Sequence, residues 1–105
     1  MPTKSNPQEN STARIKPTAP WRVAHIKILK NYSLNVTFND GISGNVEMYD
    51  LIHSQNAGVF ASLKDINLFN QAYIEMGVVT WPGEIDLSPD AMHEAIKKEG
   101  RWVLK

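Results

Sequence analysis

The sequence predicts an α+β domain in which an antiparallel sheet of about five strands carries short helices and a C-terminal helix packed on it. Three observations lead there. Apolar and polar residues alternate through successive runs between Trp21 and Met48. The stretch Trp81 to Asp90, WPGEIDLSPD, ends an apolar strand, turns the chain and opens a helix. After Ser88 the apolar residues recur with helical spacing instead.

Each element follows in order. Between Arg22 and Lys30, Ala24, Ile26 and Ile28 share one face while His25 and Lys27 share the other, the period of a strand with one buried side. Leu34, Val36 and Phe38 alternate with Asn35, Thr37 and Asn39. Asn39-Asp40-Gly41 supplies residues that tolerate the positive φ of a tight strand-linking turn. Ile42, Gly44, Val46 and Met48 then point inward, with Ser43, Asn45 and Glu47 outward. These runs form a three-strand meander. Tyr49–Asp65 holds one or two short helices: Leu51-Ile52 fits a single turn, and Val59, Phe60 and Leu63 have helical spacing. Ala72–Glu75 and Val78–Trp81 pair as a hairpin across Met76-Gly77.

The last helix is the best marked. Ser88 suits the N-cap, Pro89 the first helical position, and Asp90 places negative charge against the helix dipole. Leu87 and Met92 are spaced as a hydrophobic staple. Met92, Ala95 and Ile96 make a narrow apolar stripe, and Glu94 precedes Lys98 by four residues. Gly100 ends the helix, and Trp102, Val103 and Leu104 fold back onto the sheet. Trp81, Pro82, Gly83, Asp86, Ser88 and Pro89 thus form a structural signature. Trp81 and Trp21 are expected in or at the edge of the core, and Asp86 is expected to bond backbone N–H groups of the turn.

Residues 1–20 hold four of the six prolines and no periodic apolar signal. Such a composition buries too little surface to offset its ordering entropy, so it reads as a disordered polar tail ahead of a single domain over 21–105. A chain of 105 residues, 42% hydrophobic, can build one core without a metal or disulfide. It has no cysteine, hence no disulfide, thiolate zinc site or cysteine nucleophile. No apolar run suits a signal peptide or a membrane span, so a cytoplasmic setting without a membrane partner is expected. The Asn-x-Ser/Thr triplets at Asn10, Asn31 and Asn35 then carry no glycosylation meaning.

The chemistry-bearing residues are sparse. His25, His53 and His93 lack the spacing of a metal site and are expected on a polar strand face, at a turn and on an exposed helix face. No serine sits in a nucleophile elbow, and Gly41-Ile42-Ser43-Gly44 lacks the Lys-Ser/Thr of a phosphate loop. No catalytic residue, metal ligand or cofactor is therefore assigned, and the protein is expected not to be an enzyme. Glu84 and Asp86 form the best carboxylate pair, a basis for a small enzyme or ligand sensor only if burial sets them apart.

Charge is the more useful guide. Between Asp40 and Glu94 stand nine acids and one base, Lys64, although the whole chain has zero net charge. An acidic middle repels phosphate and attracts a basic protein. The leading expectation is a non-enzymatic interaction module for a small basic partner, with Asp40, Glu47, Glu84, Asp86 and Trp102 as partner-binding candidates. Asp40 and Glu84 lie in turns expected to tolerate charge reversal. The alternative is a nucleic-acid-binding or transcription-regulatory accessory domain, using the basic tail and Lys97, Lys98, Arg101 and Lys105. Self-association is compatible with either.

Several segments together resemble a bacterial family of small domains of unknown function, numbered 2442. They are Trp21-Arg22-Val23, the Leu34-x-Val36-x-Phe38-x-Asp40-Gly41 hairpin, Phe60-x-x-Leu63-Lys64-Asp65, and the whole Trp81–Asp90 stretch, which is the most specific. The resemblance spans about residues 21–95. It implies a compact α+β fold and, from the company members keep, antitoxin-like or regulatory roles. It implies no catalytic residues. Fused members carry a helix-turn-helix domain that this chain lacks, and its proline-rich tail is extra.

Overall fold

A computed structural model describes residues 19–105. Of the expected tail, only Ala19 and Pro20 fall within the described residues; the rest lies outside them. The chain runs β1 (Val23–Leu29), β2 (Ser33–Phe38), β3 (Ser43–Glu47), α1 (Tyr49–Ile52), a 3-10 helix (Gly58–Lys64), α2 (Ile66–Phe69), β4 (Tyr73–Glu75), β5 (Val78–Trp81), β6 (Ile85–Asp86), α3 (Pro89–Glu99) and β7 (Arg101–Val103). The α+β class, the meander, the Tyr73–Trp81 hairpin and the packed C-terminal helix are all present.

The strands divide between two sheets. The first has the order β1-β2-β3-β7 and the second β4-β5-β6. In the first, the alternation read from sequence sets the faces: Leu34, Val36, Phe38, Val46 and Met48 are buried, while His25, Lys27, Ser43 and Asn45 are exposed. The β2–β3 turn closes with the Phe38 N–H on the Ile42 carbonyl and the Gly41 N–H on the Phe38 carbonyl. Asp40 Oδ1 accepts the Ile42 N–H at 3.0 Å, the local bond that suits Asp to this position.

β7 pairs with β3 in parallel, the one departure from antiparallel pairing among the described residues. Its direction follows from α3. A Cβ on Gly44 of β3 would lie 2.5 Å from the Gly100 carbonyl oxygen and 2.6 Å from Ile96 Cγ2, so the end of α3 rests directly on β3. The chain leaves that point with Arg101 beside Asn45, and both strands then run the same way. Gly100 itself has φ 80° and returns its N–H to the Ile96 carbonyl, ending the helix as expected.

The second sheet docks at the start of β1. The Val23 N–H donates to the Gly77 carbonyl at 2.9 Å, and the Arg22 guanidinium donates to the Met76 carbonyl. One continuous core joins both sheets, α3 and the helical connection, with Trp81, Phe38 and Phe69 its largest fully buried side chains. Trp81 is the core residue the sequence implies, and its indole Nε1 donates to the Phe69 carbonyl at 2.9 Å. That carbonyl ends α2, a helix the sequence reading missed, although Asp65 caps it by accepting the Asn67 N–H.

Four local expectations change. Trp21 is not in the core: it precedes β1, keeps 36% of its surface exposed, and lies under the Arg22 guanidinium at 5.0 Å. His93 is not on an exposed face, because α3 turns it inward against Phe38 and toward Asp40. Ser88 occupies the N-cap but its hydroxyl donates to Asp90 instead of accepting a backbone N–H. Asp86 bonds no turn N–H among the described residues; it sits opposite Thr80 on β6 with its side chain exposed.

Candidate functional site

Three of the nine central acids gather on the outer face of the second sheet. Register places Tyr73, Thr80 and Asp86 in one row and Glu75 beside Val78 in the next. Ile74, Val79, Trp81 and Ile85 take the opposite face and enter the core, so this row faces away from the core, although Thr80 within it is itself buried. Glu84 joins from the β5–β6 turn, where it holds φ 64°. Met76 projects from the β4–β5 turn with 81% of its surface exposed. Glu75, Met76, Val78, Thr80, Glu84 and Asp86 line one shallow depression of about 340 Å³. Among the described residues its lining holds three carboxylates and no cation, although the Arg22 guanidinium bonds the Met76 carbonyl. Tyr73, also largely exposed, leans its hydroxyl toward Glu75.

Of the residues the sequence nominated, Glu84 and Asp86 therefore lie together. Glu75 completes their group; it was counted among the central acids but not singled out, and its strand period relative to Tyr73 was the available signal. Glu47 and Trp102 lie together elsewhere, in a groove of mixed charge with Asp50, Glu99, Arg101 and Lys105. Glu47 is also 3.6 Å from Arg101 across the β3–β7 pair. Asp40 stands apart from both.

Asp40 is not a free surface acid. His93 Nε2 lies 2.7 Å from its Oδ2, with 14% of the His93 side chain and 26% of the Asp40 side chain exposed. The hydrogen bond from His93, and then that from the Ile42 N–H, hold the Asp40 carboxyl below the usual carboxylate range. The Asp40 carboxylate is thus engaged by His93 and by its own turn, where the sequence suggested a free turn acid open to charge reversal.

Glu84 and Asp86 are both exposed, without the burial that acid–base work by paired carboxylates requires. Among the described residues no three His, Asp or Glu side chains converge as a metal ion would need. Nor does any described helix have the length and apolar character to cross a membrane. The cations of the C-terminal end are interleaved with acids: Lys97 and Lys98 share a groove with Asp90 and Glu94, beside Trp21 and His93.

Neither a curated protein nor a solved structure matches the chain. A family model does, over residues 23–98, which covers the meander, both hairpin segments, the WPGEIDLSPD stretch and nearly all of α3. The chain therefore belongs to the family described as proteins of unknown function DUF2442.

Proposed function

We propose that this protein is a non-enzymatic interaction module whose second sheet presents its outer face to a basic protein partner. One observation carries the reading: among the described residues, Glu75, Glu84 and Asp86 surround exposed Met76 and half-buried Val78 on a single face whose lining holds no cation. Apolar contacts rimmed by charge of one sign are the anatomy of a protein interface, and Tyr and Met are favoured there. A small antitoxin-like neutraliser or a regulatory subunit fits this description, in a cytoplasmic setting. The alternating acids and bases around α3 and β7 favour a protein over a nucleic acid, since phosphate binding draws on an unbroken basic track.

The test is capture from cell extract by the full chain, read by mass spectrometry, against a variant carrying Glu75→Lys, Glu84→Lys and Asp86→Lys. A basic protein held by the natural sequence and lost by the variant supports the reading. Equal capture by both overturns it.

A further inference from the structure

We propose that β1 is a docking edge for an acidic, extended protein segment, which adds to the first sheet as a strand beside β1. This edge meets the second sheet at Arg22 and Val23, but the proposal does not rest on the reading of the acidic face. β1 is the longest strand among the described residues, at seven residues, yet it is outermost in its sheet. Among the described residues no backbone group from Ala24 to Leu29 bonds anything beyond β2; only Val23, at the strand's start, is tied to Gly77. Every second residue of an edge strand turns its N–H and C=O outward, so β1 presents a row of groups that no described residue pairs and that another chain can satisfy.

Side chains decide which chain fits. From Trp21 to Asn39 there is no acid, while Arg22, Lys27 and Lys30 are cationic and His25 can become so. His25 and Lys27 are exposed on the outer face. Register extends that face as a row from Lys27 through Asn35 and Asn45 to Arg101, with the Asn35 side-chain Nδ2 donating a hydrogen bond to Asn45 Oδ1 at 2.9 Å. On the other face Ile26 and Ile28 are only partly covered. An added strand that alternates acidic and apolar residues would meet Lys27 and His25 on one side and shield Ile26 and Ile28 on the other.

A second copy of β1 is the wrong partner. Antiparallel self-pairing about Ile26 sets Arg22 against Lys30 and Lys27 against His25, and pairing centred on residue 27 sets Lys27 against itself. Like charges directly opposite destabilise a strand pair. The lysine that guards this edge against self-association is the same one that selects carboxylates.

Amide NMR of the full chain tests this, with a capped seven-residue peptide alternating Val and Glu, a Val–Lys counterpart and a short oligothymidylate as probes. The Val–Glu peptide should shift and protect amides from Ala24 to Leu29, and its affinity should fall roughly tenfold from low to high salt. Lys27→Glu, which should leave the remaining spectrum unchanged, should transfer the response to the Val–Lys peptide. The proposal is overturned by silence of β1 toward millimolar Val–Glu peptide, by equal response to both peptides, or by a stronger response to oligothymidylate. It is equally overturned if Lys27→Glu changes nothing, or if the free protein dimerises through β1 in sedimentation.

Discussion

His93 Nε2 meets Asp40 Oδ2 at 2.7 Å, and this contact ties the middle of α3 to the β2–β3 turn across 53 residues of sequence. The ring also stands edge-on to Phe38, at 4.8 Å and 90° between planes, so one side chain caps the core and holds the turn. Because its folded pKa is lowered, Asp40 adds stability above its unfolded pKa of about 3.9 and loses it as pH falls through the folded value. Asp90 behaves alike, its carboxyl lowered first by the Ser88 hydroxyl and then by the Ala91 N–H. Thermal melts should therefore show stability dropping below about pH 4. In Asp40→Asn that drop should be shallower; an unchanged acid limb would mean the pair adds no stability.

Trp81 should be the most costly side chain to remove. Trp81→Ala deletes a fully buried indole and should lose about 3–5 kcal/mol in urea unfolding. Trp81→Phe keeps most of the volume but leaves the Phe69 carbonyl without its donor, a cost of about 1–3 kcal/mol. A Trp81→Phe variant as stable as the natural chain would show that solvent or another donor reaches that carbonyl.

The start of α3 should respond less to Ser88 than a side-chain cap implies. Since the Ser88 hydroxyl donates to Asp90 and caps no N–H, Ser88→Ala should cost less than the roughly 1 kcal/mol of a lost cap. Asp90→Ala should cost more than Ser88→Ala, because Asp90 is the acceptor there and carries the charge favoured near the helix dipole. Urea midpoints in the reverse order would restore Ser88 as the cap.

Gly44 should not accept even a methyl group. An added Cβ meets the Gly100 carbonyl at 2.5 Å, and backbone at a helix end cannot swing aside as a long side chain would. Gly44→Ala should therefore cost about 1–3 kcal/mol and disturb the β3–β7 pairing, visible as a shifted Trp102 fluorescence. A fully stable Gly44→Ala would require α3 to slide on the sheet without penalty.

Legibility in the sequence followed distance along the chain. The meander was readable because the burial of Leu34, Val36 and Phe38 repeats with period two, and α3 because Ser88-Pro89 and Gly100 bracket it. The parallel docking of β7 was not, since it depends on Gly44 meeting Gly100 across 56 residues. Nor was the inward turn of His93, whose partners Phe38 and Asp40 belong to another element. For the candidate site, the acidic bias of residues 40–94 was plain in the composition. Its grouping was not: Asp40 and Glu47 are taken up by His93 and Arg101, while Glu75 joins Glu84 and Asp86 only once β4, β5 and β6 are in register.

That grouping separates the nominated acids in a binding experiment. Glu84→Lys with Asp86→Lys changes two exposed side chains and should leave the fold intact, since Lys at position 84 inherits the same positive φ that Glu84 already holds. The pair reversal should lower the association rate with a basic partner and flatten its dependence on salt, because screened long-range attraction steers the encounter. Glu47→Lys should affect the rate less, its carboxylate lying beside Arg101 in a groove of mixed charge. Asp40→Lys should act through stability, lowering the melting temperature before it alters any binding. Stopped-flow association at two salt concentrations, with melts of each variant, distinguishes these roles. If Glu47→Lys slows association as much as the double reversal does, the partner reads the total charge of the domain and the face of the second sheet has no special part in capture.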